Sequence, residues 1–305
     1  MILKRRQLAP PRVTTGKERR WLDPNKGFLK VFERRLDFWV SRYVYPHMLG
    51  VWNPYSWILC NRFSLAEISI SPPRWPANLP QLKVLLISDI HTGIFLKPKV
   101  LSEIVDALMD LEPDLVTIAG DIVTARITDV DDFLPALVPL SRAPLGAWYC
   151  YGNHDYFAGD PTGIRERLNS INIATLKNES VVIHHGNGRF VLGGIDDFIF
   201  GNPDWDQLLS TNGLPDLLLA HHPDFFYQAL ARNIALTLSG HTHGGQIRPP
   251  WTPPLVRHSK FCLDEGAYAH QSSVLVVTRG LGSVGLPLRY GADPEAVLIQ
   301  VNSPH

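Results

Sequence analysis

Cysteine is scarce in this 305-residue chain: Cys60, Cys150 and Cys262 are widely spaced and odd in number. That argues against a disulfide framework and a cysteine-based zinc site, and leaves the thiols as plain buried residues. A long uninterrupted apolar run is also missing. The richest stretch, Tyr43–Cys60, carries Tyr43, Tyr45, Trp52, Tyr55 and Trp57 among aliphatic residues, but Pro46, Asn53 and Pro54 break it. Those breaks keep it well below the roughly 20 residues of a spanning helix. No internal repeat is visible. Lys4-Arg5-Arg6-Gln7-Leu8 has a twin-arginine look, yet Ala9-Pro10-Pro11-Arg12 stands where an apolar region is required, so export by that route is not expected.

With 45% hydrophobic residues, the chain can bury a substantial core in one large domain and leave an appendage over. The formal net charge is zero but unevenly spread. Met1 to Arg42 holds twelve Lys or Arg against four Asp or Glu, so a basic arm precedes an acidic body. Within it, Phe28–Val40 repeats apolar residues at helical spacing and predicts an amphipathic helix. Aromatic and basic residues mixed in this way suit the headgroup zone of an anionic membrane; packing on the protein's own body is the alternative. We therefore expect residues 1–80 to be an N-terminal extension whose residues 1–60 contact the membrane. Residues 81–305 would form the catalytic domain, in the cytoplasm and peripheral on the inner face of the cell membrane.

After the linker Ser71–Pro76, strand Lys83–Ser88, a Pro98-initiated helix to about Leu111 and strand Leu115–Ala119 make a βαβ opening. Further strands are expected near Trp148–Tyr151, Val181–His184, Phe190–Ile195, Leu217–Ala220, Ile234–Ser239, Val274–Thr278 and Ala296–Val301. Two mixed sheets packed face to face and flanked by helices accommodate this pattern best.

Five polar clusters follow apolar strands: Asp89-Ile90-His91, Gly120-Asp121, Gly152-Asn153-His154-Asp155, His221-His222-Pro223-Asp224 and Gly240-His241-Thr242-His243. Strand ends are where rigid scaffolds present functional side chains, and five of them converging would assemble one site. Asp89 and His91, two apart in extended chain, share a face and can reach one cation. The Asp121 carboxylate can bridge two cations, and Asn153 offers a neutral carbonyl oxygen. His241 and His243, among glycines, can turn toward the same centre. Of His221 and His222, extended geometry lets only one face the site, without saying which.

In order and spacing these motifs resemble the calcineurin-like metallophosphoesterase superfamily, over roughly Val84 to Val301. Gly244-Gly245-Gln246-Ile247, Arg279-Gly280-Leu281-Gly282 and Arg289-Tyr290-Gly291 are similar to those of a bacterial, often membrane-associated branch of phosphodiesterases. The resemblance implies a four-layer αββα fold. It implies one metal on Asp89, His91 and His243, a second on Asn153, His221 and His241, and Asp121 between them. It also makes His221 rather than His222 the ligand, and His154 the proton donor to the leaving oxygen. From its own position beside His154, Asp155 is expected to hold or polarise that region and counts with His154 as a catalytic candidate.

Two divalent ions about 3.5–4 Å apart could then activate a shared water for in-line attack on phosphorus. Manganese, iron or zinc would suit the donors, and manganese is the expected assay metal. Arg279 and Arg289 are candidates for gripping phosphate, with ordinary ion pairing as the alternative. The expected activity is hydrolysis of a phosphodiester or diphosphate, with a lipid-linked substrate such as UDP-2,3-diacylglucosamine as the sharpest version. A nuclease or cyclic-nucleotide phosphodiesterase is a second reading, although the acidic body lacks a basic track for nucleic acid. A non-catalytic metal-binding membrane scaffold is a third, which His154 beside a full ligand set disfavours.

Overall fold

The computed structural model describes residues 2–13, 39, 44, 62–93, 95–251, 253–285 and 289–304. Apart from Trp39 and Val44, the expected amphipathic helix Phe28–Val40 and the aromatic stretch Tyr43–Cys60 lie outside the described residues. Among the described residues, no helix is long and apolar enough to cross a membrane.

Period-two alternation in the strands builds the layers. One sheet contains β1 Ile2–Gln7, β3 Arg62–Ile70, β4 Leu82–Ile87, β5 Leu115–Ala119, β6 Ala147–Cys150, β7 Ile173–Leu176 and β14 Glu295–Val301, in the order β1-β3-β14-β4-β5-β6-β7. The other contains β2 Arg12–Val13, β8 Glu179–His185, β9 Gly188–Gly194, β10 Leu217–Leu219, β11 Leu236–Ser239, β12 Gly266–His270 and β13 Ser273–Val277, in the order β2-β12-β13-β11-β10-β9-β8. Helices α1 Pro98–Met109, α2 Leu134–Leu137, α3 Asn153–Phe157, α4 Thr162–Asn169, α5 Trp205–Asn212 and α6 Phe226–Ala231 complete the frame.

Alternate residues of β4 and β5 face opposite ways. Val84, Leu86, Leu115 and Ala119 meet Leu217, Leu219, Leu236 and Leu238 of the second sheet, forming the central core. Leu85, Ile87, Val116 and Ile118 pack instead against α1, whose Leu101, Ile104, Val105 and Leu108 fall on one helical stripe. Leu218 and Ala220 cover the outer face of the second sheet with Leu208 of α5 and Ala229 of α6. The result is the expected four-layer αββα arrangement. Truncating a central residue such as Leu238 to alanine should cost about 2–5 kcal/mol.

Pairing is parallel through β4, β5 and β6 and through β10, β11 and β13. Because parallel strands end on the same side, Asp89, Asp121 and Asn153 leave one sheet at the edge where His221 and His241 leave the other. The motif-bearing strands occur where the alternation predicts them.

Two features of the N-terminal region differ from that reading. Residues 62–70, assigned to the extension, form β3 and lie between β1 and β14 in the sheet. From the basic arm, β1 extends the first sheet and β2 pairs with β12 at the edge of the second. Arg5 lies 3.9 Å from Glu67, Arg6 pairs with Glu295, and Arg12 hydrogen-bonds to the Glu265 carbonyl. Arg6 and Arg12 are thus engaged with the body of the protein, and Arg5 stands near it.

Candidate metal centre

The ligand loops are held in backbone conformations that side chains ordinarily avoid. Asp89, His91, Asp121, His241 and His243 all have positive φ, between 49° and 69°. Non-glycine residues in this region are uncommon and concentrate at functional sites, where the surrounding structure enforces them. Two neighbouring glycines show how tight the packing is. A Cβ on Gly152 would stand 2.2 Å from Asp121 Oδ1, and one on Gly240 would stand 2.3 Å from Asp89 Oδ2.

Two buried groups of donor atoms result. In the first, Asp89, His91 and His243 converge. His91 Nε2 is 3.2 Å from His243 Nε2, which lies 3.4 Å from Asp89 Oδ1. In the second, Asp121, His221 and His241 converge. His241 Nδ1 is 3.2 Å from His221 Nε2, and Asn153 Oδ1 lies 2.9 Å from the former and 3.2 Å from the latter. Asp121 Oδ2 reaches both groups, 3.1 Å from His221 Nε2 and 3.8 Å from His91 Nε2. His222 belongs to neither. Its ring lies tilted against His241 at 4.4 Å, and its Nδ1 accepts from the Asp224 N–H.

Burial sets the charge. It pushes His91 down to about 3, assisted by His154, and holds His241 and His243 well below the ordinary imidazole value. For His221 burial also acts downward, but the Asp121 carboxylate outweighs it and raises His221 to about 10. His221 in turn overcomes the effect of burial on Asp121 and holds that carboxyl below its usual range. Burial raises Asp89 to about 6.

These donors fit divalent cations. Neutral imidazoles, carboxylates and an amide oxygen crowd together, and Asp89 Oδ1 is buried without a hydrogen-bond donor among the described residues. His221 donates Nδ1–H to the Ala119 carbonyl at 2.6 Å, so Nε2 is the atom left for a cation. Asp89, His91 and His243 could hold one ion and Asn153, His221 and His241 another, with Asp121 between them.

Known proteins carry the same pattern. The calcineurin-like phosphoesterase family matches residues 82–245. The chain belongs to this family. A Bacillus subtilis relative, the uncharacterised metallophosphoesterase YkuE, is 29% identical over 271 residues, covering 86% of this chain and 89% of the relative. The Escherichia coli phosphodiesterase YaeI is 31% identical over 233 residues, 73% of this chain and 83% of the relative. A Danio rerio transmembrane protein with a metallophosphoesterase domain is 32% identical over 248 residues, 76% of this chain but only 55% of the relative. By class, this calcineurin-like phosphoesterase is a metal-dependent phosphoric ester hydrolase.

The other predicted residues of the phosphoesterase have distinct surroundings. His154 lies edge-on to His91, with ring centroids 4.8 Å apart, and its Nδ1 is 3.0 Å from the Thr124 carbonyl. A carbonyl can only accept, so Nδ1 carries a proton. Asp155 is fully buried and accepts from the backbone N–H groups of Asp121, Ile122 and Gly152 and from the Tyr149 hydroxyl. It therefore ties the Asp121 loop to the Asn153 loop. Both arginines are turned to protein partners. Arg279 pairs with Glu295 at 2.6 Å, and Arg289 donates to the carbonyls of Gly282 and Arg279.

Sequence reasoning missed several contributors. Ser88 Oγ lies within hydrogen-bond reach of both Asp89 Oδ2 and the Ala119 carbonyl, Thr124 orients His154 through its carbonyl, and His258 lies 5.5 Å from His241 between ring centroids. Ser88 stands next to a ligand and offered that much signal. A backbone carbonyl such as Thr124's offers none.

Proposed function

We propose that the chain hydrolyses a phosphodiester or diphosphate bond, with two divalent cations held by Asp89, His91 and His243 and by Asn153, His221 and His241, and with Asp121 bridging. The observation that carries this reading is His154, whose ring stands edge-on to His91 of the first group and whose backbone N–H donates to Asp121 of the second, while its side chain belongs to neither. When bound there, divalent cations would supply Lewis acidity for a phosphoryl oxygen and for water. His154 protonates the leaving oxygen. Its Nδ1–H is committed to Thr124, so Nε2 is the atom that delivers the proton. Asp155 keeps the Asp121 and Asn153 loops in register, while Arg279 and Arg289 brace the site from behind rather than grip phosphate.

The likeness to the Escherichia coli phosphodiesterase YaeI supports the diester class. Among such substrates we favour a lipid-linked diphosphate such as UDP-2,3-diacylglucosamine, turned over at the inner face of the cell membrane. The aromatic stretch Tyr43–Cys60 and the basic arm support that choice. Manganese is the metal to load first.

The test compares bis(p-nitrophenyl) phosphate, p-nitrophenyl phosphate and detergent-solubilised UDP-2,3-diacylglucosamine with manganese-loaded protein. Metal-dependent cleavage of the diester over the monoester is expected, with the lipid diphosphate turned over faster still. Preference for the monoester would overturn the bond class, and an inert lipid diphosphate would remove that substrate.

A further inference from the structure

The N-terminal strand reaches toward the metal centre through a buried ion pair. Glu295 opens β14 and its side chain is fully buried. Its Oε2 accepts from Arg6 Nε at 2.9 Å and Arg279 Nη2 at 2.6 Å, while Oε1 has no hydrogen-bond donor among the described residues. A carboxylate taken out of water this completely persists only if its cations stay in place, so Arg6 supports Glu295 as directly as Arg279 does.

Both arginine and glutamate bear on the first donor group. The Arg279 side chain fills the space beside Gly244, where a Cβ would stand 2.8 Å from Arg279 Cδ, and Gly244 directly follows His243. The Arg279 carbonyl accepts from Arg289 Nη1 at 2.8 Å, and Arg289 Nη2 lies 2.8 Å from His243 Nδ1. The Glu295 N–H donates to the Gly280 carbonyl at 2.9 Å, and a Cβ on Gly280 would stand 2.5 Å from Asp89 Cβ. His243 and Asp89 thus rest on a segment, residues 278–280, that Glu295 holds. The second group has further ties of its own, through Ala119 to His221 and through Asp155 to Asp121, and meets the first where the His241 N–H donates to Asp89 Oδ2 at 2.9 Å.

We infer that Arg6 is a positioning residue for the cation site of Asp89, His91 and His243, acting through the Glu295–Arg279 pair beneath the His243 loop. The inference rests on the reading of that group as a cation site. It gives the basic arm a role inside the catalytic machinery that does not depend on lipid.

Manganese binding to the full chain tests it, read as affinity of each site and as the spin-coupled signal of a manganese pair. In Arg6→Ala, one of the two manganese ions should bind about tenfold more weakly, the low end of the range for loss of an outer-shell partner. At equal free manganese, the coupled signal should give way to that of an isolated ion. Gln7→Ala, which removes a hydrogen bond from the same strand to Glu67, should retain both ions. Arg6→Lys, which keeps the charge, should recover part of the lost affinity. Two wild-type affinities in Arg6→Ala would overturn the inference. So would equal weakening of both sites in step with a lower melting temperature of the metal-free chain, which would mark Arg6 as a mere tie at the sheet edge. A wild-type chain that binds no manganese would overturn the metal-centre reading itself.

Discussion

The two donor groups lie side by side, draw on both sheets and share Asp121, yet they differ in what they hold before a cation arrives. Burial leaves the histidines of the first group neutral, with His91 lowered to about 3. In the second, the Asp121 carboxylate keeps a proton on His221 up to about 10. The first group is a carboxyl among neutral imidazoles, with His243 accepting from Arg289 at Nδ1 and so presenting Nε2–H to His91, and the second is an internal ion pair. The buried Asp89 Oδ1, which has no donor among the described residues, favours a cation in the first, whereas a cation entering the second must displace a proton. Similar ligand types on a similar scaffold therefore bind with different proton bookkeeping.

The largest effect should come from removing what the two groups share. Asp121→Ala takes away the oxygen that lies 3.1 Å from His221 Nε2 and 3.8 Å from His91 Nε2. Diester hydrolysis should fall by more than the roughly 10–100-fold lost with an outer-shell partner, and both metal affinities should drop. Metal analysis alongside turnover checks this, and full activity in the variant would sink the two-metal reading.

His154→Ala should separate binding from chemistry. Loss of a general acid typically costs about 10²–10⁴ in rate, with both ions retained because His154 belongs to neither group. The loss should be largest for an alkyl leaving group and small for p-nitrophenolate, which departs without a proton. Equal losses on the two kinds of ester would show that His154 does something other than protonate the leaving oxygen.

The strands, the layer order and the motif-bearing ends were legible because alternation and local motifs live within a few residues of each other. Support for the motifs was much less so. β3, Arg62–Ile70, was missed because its Phe63–Ala66 half is buried on both faces while Glu67 and Ser69 are not, which interrupts the alternation, and because its neighbours β1 and β14 come from opposite ends of the chain. Glu295, in Asp293-Pro294-Glu295, reads as a surface turn residue until Arg6 and Arg279 are seen to enclose it. Asp155 looked like a member of the reactive cluster because it sits beside His154. Only the fold reveals that its oxygens face backbone N–H groups.

Asp155→Asn should produce an intermediate loss. The carboxylate takes three backbone N–H groups and the Tyr149 hydroxyl, and an amide offers one oxygen for them while presenting N–H to the rest. Manganese affinity should fall about 10–100-fold, chiefly in the second group, with the KM for a diester at saturating manganese little changed. A raised KM with intact metal binding would mean that Asp155 serves substrate rather than the ligand loops.

The smallest effect is a single proton, and it bears most directly on the contrast between the groups. His221 donates Nδ1–H to Ala119, so a cation must take Nε2, the nitrogen whose proton Asp121 retains. Because that proton stays on up to about 10 in the metal-free site, a cation entering the second group in the neutral range must release it. Affinity there should rise with pH, by up to about tenfold per unit for one proton, and level off above the His221 value. In the first group His91 and His243 are already neutral, the His243 hydrogen that faces the site can move from Nε2 to Nδ1 without leaving the protein, and Asp89, raised to about 6, yields a proton only at lower pH. Calorimetric titration with manganese at about pH 8, in two buffers of different ionisation enthalpy, should therefore give one binding event that releases close to one proton and one that releases almost none. Equal release from both events would erase the distinction between the two groups, and no release from either would mean that Asp121 does not hold a protonated His221.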